Sequence, residues 1–303
     1  MRVKVLGSAA GGGFPQWNCA CRNCSRLRRG AFNGRPRSQA QVSISSGGNW
    51  VLLNASPDIR LQIESAPELH PTGGPRHSPI SSVILTSADL DQVLGLLLLR
   101  EFQSFRIYAT ASIRRILTEH NSMFGVLGRE LAQVCWHDVV PGRQLEIEPG
   151  IWIDPIATAH RYPEYVSPQM QAFLKPEEAV LGLLISAGNG GSRLAYLPAL
   201  ACVPDDWLDW LDGCEVLLFD GTFWTDDELS AVLRRDRSAR QMGHIPVSGP
   251  DGSLETLARL KRPRKIFFHI NNTNPMLDED GPEYRAVRDA GWELAWDGME
   301  LEL

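Results

Sequence analysis

Ser81-Ser-Val-Ile-Leu-Thr86, Ser87-Ala-Asp89-Leu-Asp91-Gln92 and Val93-Leu-Gly95-Leu-Leu-Leu-Leu99 follow one another without interruption. The first stretch is an apolar run that reads as a short strand. The last predicts a helix over residues 91–102. Between them lies a turn in which alternate residues carry oxygen. A strand, a turn and a helix in this order point those side chains into one place. Asp89, Asp91 and Gln92 would there offer ligands suited to hard or borderline metals. The same residues have a plainer use, because Ser87, Asp89 or Asp91 can accept from the first helical N–H groups and complement the helix dipole. On these residues alone both uses stand.

Outward from this stretch, short apolar or β-branched runs bounded by Gly, Pro, Ser or Asn predict strands. They lie at residues 3–6, 41–45, 50–53, 82–86, 105–109 and 145–147, then at 151–153, 181–186, 194–197, 216–219, 265–269 and 293–296. Helical patterns occupy residues 111–120, 206–211, 226–234, 252–260 and 281–290. Such alternation argues for sheets covered by helices. The early strands follow one another without helices, as two mixed sheets with helices outside would require. No internal repeat or linker interrupts residues 1–303, which are read as a single domain. Two Pro-rich stretches, 65–78 and 161–175, are long enough to be binding loops or lids; surface insertion is the equal alternative.

Thirty basic residues face 36 acidic ones, so no basic field is available for nucleic acid. Lys4 and Gly7 break any secretory leader, and the most apolar run, 93–99, falls far short of the roughly 18 residues that span a bilayer. A cytoplasmic protein without a membrane partner is expected.

Three of the six cysteines crowd into Cys19-Ala-Cys21-Arg-Asn-Cys24, after the glycines at 11–13. Thiolates this close strain a disulfide but suit a soft tetrahedral cation, and a closed structural zinc site needs a fourth protein ligand from elsewhere. Three reduced surface thiols are the alternative. Cys135, Cys202 and Cys214 lie in apolar surroundings and are expected to be buried small hydrophobes.

The turn at 87–92 also resembles the H-x-H-x-D-H segment of the metallo-β-lactamase superfamily. Thr86, Asp91 and Gly95 fall in that register, while Ser87, Asp89 and Gln92 stand where histidines would be. His269, ending Lys265-Ile-Phe-Phe-His269, resembles the superfamily's last metal ligand. His160, after the run beginning at Ile151, lies near where another is often placed. His244 resembles a histidine of the ribonuclease Z and phosphodiesterase branches. Ala199 occupies the place of the metal-bridging Asp, so at most one metal is expected to bind well. In the phosphodiesterase branch the residue three after the last His closes the cysteine zinc site; here that is Asn272.

Longer literal runs are more specific. Gly7-Ser-Ala-Ala-Gly-Gly-Gly13, Pro15-Gln-Trp-Asn-Cys-Ala-Cys-Arg-Asn-Cys24, Asn54-Ala-Ser-Pro-Asp-Ile-Arg60, Leu218-Phe-Asp-Gly-Thr-Phe-Trp224 and Phe268-His-Ile-Asn-Asn-Thr-Asn-Pro275 resemble the pyrroloquinoline quinone (PQQ) biosynthesis protein B family. The resemblance spans residues 7–299 and implies an αββα fold. It implies iron-dependent hydroxylation of the tyrosine ring of a Glu–Tyr precursor, with Fe(II) or another divalent metal on Asp89, Asp91 and His269, near Gln92; His160 is a candidate further ligand from the wider superfamily alone. His244 would move protons or, equally, serve as a hydrogen-bonded core histidine, and Asp220 would orient it or the substrate. Structural zinc would sit on Cys19, Cys21, Cys24 and Asn272. Other PQQ biosynthesis proteins are implied as partners, and a zinc knuckle near the N-terminus would brace a homodimer. Gln92 departs from the family, where histidine is expected, which puts metal affinity in doubt. The alternatives are a non-catalytic carrier moving PQQ or its precursor to the periplasm and, from the wider superfamily, a phosphodiester hydrolase.

Overall fold

A computed structural model of the chain describes residues 1–129, 133–188, 191, 193–233 and 236–303. Its strands in chain order are β1 (Arg2–Gly7), β2 (Gln41–Ser45), β3 (Trp50–Leu53), β4 (Ile80–Ile84), β5 (Phe105–Ala109), β6 (Val134–Asp138) and β7 (Leu145–Glu148). There follow β8 (Ile151–Ala159), β9 (Val180–Ala187), β10 (Arg193–Leu197), β11 (Val216–Asp220), β12 (Arg264–Phe268), β13 (Trp292–Leu294) and β14 (Glu300–Glu302). The chain forms two compact units: residues 1–7, 41–191 and 298–303 in the first, 8–40 and 192–297 in the second.

The first unit holds a sheet in the order β14-β1-β2-β3-β4-β5-β6, together with the antiparallel strands β7, β8 and β9. Its pairing is antiparallel from β14 to β3 and parallel from β3 to β6. Val51, Leu52 and Leu53 are all buried, which explains why β3 reads as an unbroken apolar run, and buried Val83 and Ile84 give β4 its apolar end. Asn54, at φ 68°, ends β3 in the left-handed region that Asn tolerates better than most residues. Its amide donates to Thr86 Oγ1 at 2.9 Å and accepts from the Thr86 N–H at 2.8 Å. That clamp fixes where β4 ends and where the polar turn begins.

The helix expected over 91–102 is only Leu90–Val93, continued by a tighter turn over Leu94–Leu97. Gly95 gives the reason. Its N–H donates to the Ala55 carbonyl at 2.9 Å, and a Cβ there would collide with the Ser56 carbonyl. The segment is pinned against another backbone rather than free to wind on. The remaining helices run shorter than their patterns, as Ala111–Thr118, Leu208–Asp212, Glu228–Leu233, Ser253–Thr256 and Pro282–Asp289; Arg234, in the expected 226–234 helix, lies outside the described residues.

In the second unit β10, β11, β12 and β13 are parallel throughout. Val216-Leu-Leu-Phe-Asp220 is buried at every position, and Phe267 stacks on Trp292 with centroids 4.1 Å apart. A parallel sheet gathers its functional side chains at the carboxyl ends of its strands. Asp220 and His269 stand there.

One expectation about the cysteines fails. Cys214 is buried, but Cys135 and Cys202 are exposed. Cys135 lies on the edge strand β6, where alternate side chains face solvent, and Cys202 lies in the loop before Pro204.

Candidate functional site

In the first unit the turn after β4 is tied up within itself. Ser87 Oγ donates to Asp89 Oδ2 at 3.0 Å and accepts from the Asp89 N–H at 3.1 Å. Asp89 occupies the cap position of helix Leu90–Val93 but makes no capping hydrogen bond. Gln92 Nε2 donates to Asp91 Oδ2 at 3.0 Å. A carboxylate only accepts, so the amide nitrogen must face Asp91. The carbonyl oxygen of Gln92 is thereby left buried and without a donor. The 161–175 segment touches this turn. Arg161 Nη2 lies 3.7 Å from Asp89 Oδ2, and the Tyr165 hydroxyl donates to the Ala88 carbonyl at 2.5 Å. Burial, with Asp89 adding to it, raises the Tyr165 pKa. His160 follows β8 and is exposed.

In the second unit two clusters share one loop. Cys19, Cys21 and Cys24 bring their sulfurs within 4.8 Å of one another. Cys21 is the cap of helix Arg22–Arg28, its sulfur accepting from the Cys24 N–H at 3.5 Å, and Cys19 Sγ accepts from the Cys21 N–H at 3.4 Å. The Asn272 side-chain amide lies 3.2, 3.6 and 3.3 Å from the sulfurs of Cys19, Cys21 and Cys24. Asn23 donates to the carbonyls of Asn272 and Asn274 at 3.2 and 2.9 Å, holding that loop on the helix. Burial opposes ionisation of Cys19, yet hydrogen bonds from the Cys21 N–H, the neighbouring thiols and Asn272 bring its pKa below the ordinary thiol value. Burial above all pushes the Cys21 thiol up to about 12.

Three residues before Asn272, His269 joins the other cluster. Its ligand atom lies within 4.8 Å of those of Asp220 and His244, all three residues being buried. His244 Nδ1 is 2.9 Å from Asp220 Oδ2, and the Asp220 carboxylate also accepts from the N–H groups of Leu200 and Thr222. An acceptor-only carboxylate fixes the proton of neutral His244 on Nδ1, which makes Nε2 the nitrogen that takes up or passes on a proton. Thr222 Oγ1 sits 2.7 Å from Asp220 Oδ1, 3.1 Å from His244 Nδ1 and 2.9 Å from His269 Nδ1. The two imidazoles lie nearly parallel, 5.4 Å between centroids. His269 holds this position at φ 58°, a left-handed conformation that costs a non-glycine residue about 1–2 kcal/mol.

Among the described residues these are the two groups of three such ligands close enough to share an ion; Asp89, Asp91 and His160 form no group of that kind. Two participants carried no role in the sequence reading. Thr222 follows Asp220 by two positions, a spacing that returns a side chain to the same side at a strand end. Buried Glu228 accepts from the Thr273 hydroxyl and from the Trp224 N–H, and so braces the loop that carries Asn272.

The class follows from both fold and sequence. Residues 49–270 match the Beta-lactamase superfamily domain, and the chain has that fold: two mixed β-sheets flanked by helices. A new diphosphatase of the PhnP family shares the fold, with a TM-score of 0.69 at 22% identity over 100% of this chain and 97% of that one. Coenzyme PQQ synthesis protein B of Methylobacterium sp. (strain 4-46) is 42% identical over 304 residues, covering all of both chains. The crystal structure of Zn(2+)-bound PqqB from Methylobacterium extorquens superposes with a TM-score of 0.91 at 41% identity, again over 100% of each chain. The chain belongs to the coenzyme PQQ synthesis protein B family.

Proposed function

We propose that this protein acts in PQQ biosynthesis, hydroxylating the tyrosine ring of a Glu–Tyr precursor with the help of a single divalent metal. The 42% identity to a coenzyme PQQ synthesis protein B over the full length carries the reading. One oxygen atom of O2 would enter the ring and the other leave as water, with two electrons from an external organic reductant. Fe(II), when bound, supplies the activation of O2.

The residues of each unit fit such groups. With Zn–S near 2.3 Å and Zn–O near 2.1 Å, tetrahedral geometry places a ligand oxygen about 3.5 Å from each sulfur. The Asn272 amide stands 3.2–3.6 Å from the three thiols, so rotation of the amide would present its oxygen where a fourth ligand belongs. Zinc is accordingly assigned to Cys19, Cys21, Cys24 and Asn272. In the first unit, the donorless Gln92 oxygen beside the carboxylates of Asp91 and Asp89 suits a hard divalent ion. In the second, Asp220 and Thr222 orient His244 for proton transfer through Nε2. His269 lies beside them in the same cluster as a further candidate metal ligand. The cytoplasm is proposed as the compartment because it keeps crowded thiols reduced, and no described helix is long and apolar enough to cross a membrane.

A carrier without catalysis is the second reading. It is favoured by Ala199 in place of a bridging carboxylate and by Asp89 and Asp91 being engaged with Arg161, Ser87 and Gln92. Anaerobic reconstitution with Fe(II), followed by metal analysis and O2 consumption with a Glu–Tyr dipeptide and ascorbate, separates the two. Wild type should bind iron beyond the thiol-bound zinc and give a hydroxylated ring, and Asp91→Ala should do neither. Tight PQQ binding with no O2 uptake by either protein would establish the carrier.

A further inference from the structure

Within the second unit a cavity of about 100 Å³ is walled by residues 35–37, the helix Pro282–Asp289 and β13 with the residues that follow it. None of its lining residues belongs to the thiol cluster or to the Asp220–His244–His269 cluster. Three guanidinium groups meet on it, those of Arg35, Arg37 and Arg288. The Arg37 backbone is fixed by pairing with Phe14, at 2.7 and 2.8 Å. Arg35 rests its guanidinium over the Trp296 ring, 5.5 Å from the centroid. Tyr284 and Arg288 lie one turn apart on the same helix face.

Arg37 is the unusual member. It is only 7% exposed, so its charge is largely removed from water. Its Nη1 donates to Ser8 Oγ at 2.9 Å and to the Ala295 carbonyl, while Nε is buried without an acceptor. Nη2 has no acceptor in the protein, and Arg37 has no ion-pair partner among the described residues. Burial brings its pKa down to about 10, against the attraction of Asp297 and Glu279, which leaves it cationic at neutral pH. The oxygens of Asp297 are themselves taken by Ser8 and Ser38. A buried charge is costly unless an opposite charge lies against it.

The other walls do not supply that charge. Glu293 is turned to Arg264, which donates to both of its oxygens at 2.7 and 3.0 Å. Arg35 and Arg288 are exposed and enter no ion pair among the described residues. Half-buried Glu279 is the remaining carboxylate on the lining. Three guanidinium groups against one uncommitted carboxylate leave a surplus of two positive charges. The volume is well below the roughly 300–1,000 Å³ of sites that enclose a whole organic ligand, so one compact group fills it.

We propose that this cavity is an anion site that takes the dianionic oxyanion group of phosphate, as the free ion or at the end of a phosphate monoester. Arg37 meets it from the buried side, Arg35 and Arg288 close on it from solvent, and the Tyr284 hydroxyl adds a donor. A guanidinium offers paired N–H groups that match the oxygens of such an anion. The assignment needs neither the thiol zinc nor the hydroxylation reading.

Inorganic phosphate and phenyl phosphate are titrated into the full-length, metal-replete protein by calorimetry, with sodium chloride of equal ionic strength as the control. Phosphate should bind with Kd on the order of 1 mM or tighter, and chloride should give no saturable heat. Arg35→Gln combined with Arg288→Gln, both at exposed positions, should weaken phosphate binding by at least about tenfold while circular dichroism and zinc content stay unchanged. Arg37→Lys keeps the charge but loses the fork, and should weaken binding by a similar factor. Phenyl phosphate binding tighter than the free ion by about threefold or more assigns the site to a monoester whose body lies over Trp296; equal or weaker binding assigns it to free phosphate. No saturable binding at about 10 mM phosphate would overturn the proposal. So would an unchanged affinity in the double variant, which would place the anion on a bound metal instead. If Arg37→Lys loses its fold, the double variant decides alone.

Discussion

Two turns of this molecule were both read as metal sites, and they are built differently. At Cys19–Cys24 the three sulfurs converge, and the Asn272 side-chain amide lies against all of them. At residues 87–92 the donors bond to one another and to the 161–175 segment: Asp89 to Ser87 and Arg161, Asp91 to Gln92. A thiol is a weak hydrogen-bonding group, so three of them have little to gain from each other without a cation. Carboxylates have ready partners in amides, hydroxyls and guanidinium groups. Crowded thiols therefore depend on a cation for a strong partner, whereas crowded carboxylates can find theirs among neighbouring side chains.

The largest effect expected from this contrast is at the knuckle. Cys24→Ser should remove its metal and cost at least about 4 kcal/mol of stability, read by zinc content and urea denaturation. A similar loss from Asp91→Ala would erase the distinction between the two turns.

Next comes the support of Asn272. Burial pushes the Glu228 carboxyl from 4.5 up to about 7. The unfolded chain releases this proton near 4.5 and the folded chain only near 7, so the folded state holds more protons in between. The contribution of Glu228 is thus fully present below pH 4.5 and is lost as pH rises towards 7, a fall on the order of 3 kcal/mol. Glu228→Gln should flatten that slope in denaturation curves taken from pH 5 to 7; an unchanged slope would assign it to other groups.

A smaller and more pointed comparison replaces a neutral amide by imidazole in each turn. Asn272→His and Gln92→His should each tighten divalent metal binding by about tenfold in chelator competition. A gain at 272 without one at 92 would mark the acidic turn as an internally bonded cap rather than a metal site. The smallest effect is expected from Tyr165→Phe, which loses one hydrogen bond to Ala88 and about 0.5–1.5 kcal/mol. Hydrogen exchange in residues 86–92 should report it; no change there would detach the 161–175 segment from the turn.

What could be read from sequence follows the range of the interactions. β3 and β11 were legible because burial on both faces leaves apolar runs, and β4 and β12 because they end in the buried pairs Val83-Ile84 and Phe267-Phe268. β6 was not, since Val134-Cys-Trp-His-Asp138 lies on a sheet edge with mixed exposure. Helix Arg22–Arg28 was hidden behind the cysteine spacing, and the shortened helix at Leu90 is set by a backbone contact at Gly95 that no local pattern reveals. The thiols were legible because their chemistry is local. Thr222 was overlooked because its importance comes from Asp220, His244 and His269, which meet only when three chain segments fold together.

The segment from His269 to Asn272 works as a ruler. One end is fixed in the imidazole pair and the other against the thiols. An inserted residue would displace one end by about 3.5 Å, against a tolerance of roughly 0.5 Å for such constellations. Deletion would do the same in reverse. The length of this stretch is thus under tighter constraint than the identity of Ile270 within it, and it should be the least forgiving place in the chain for a change of reading length, even by one codon.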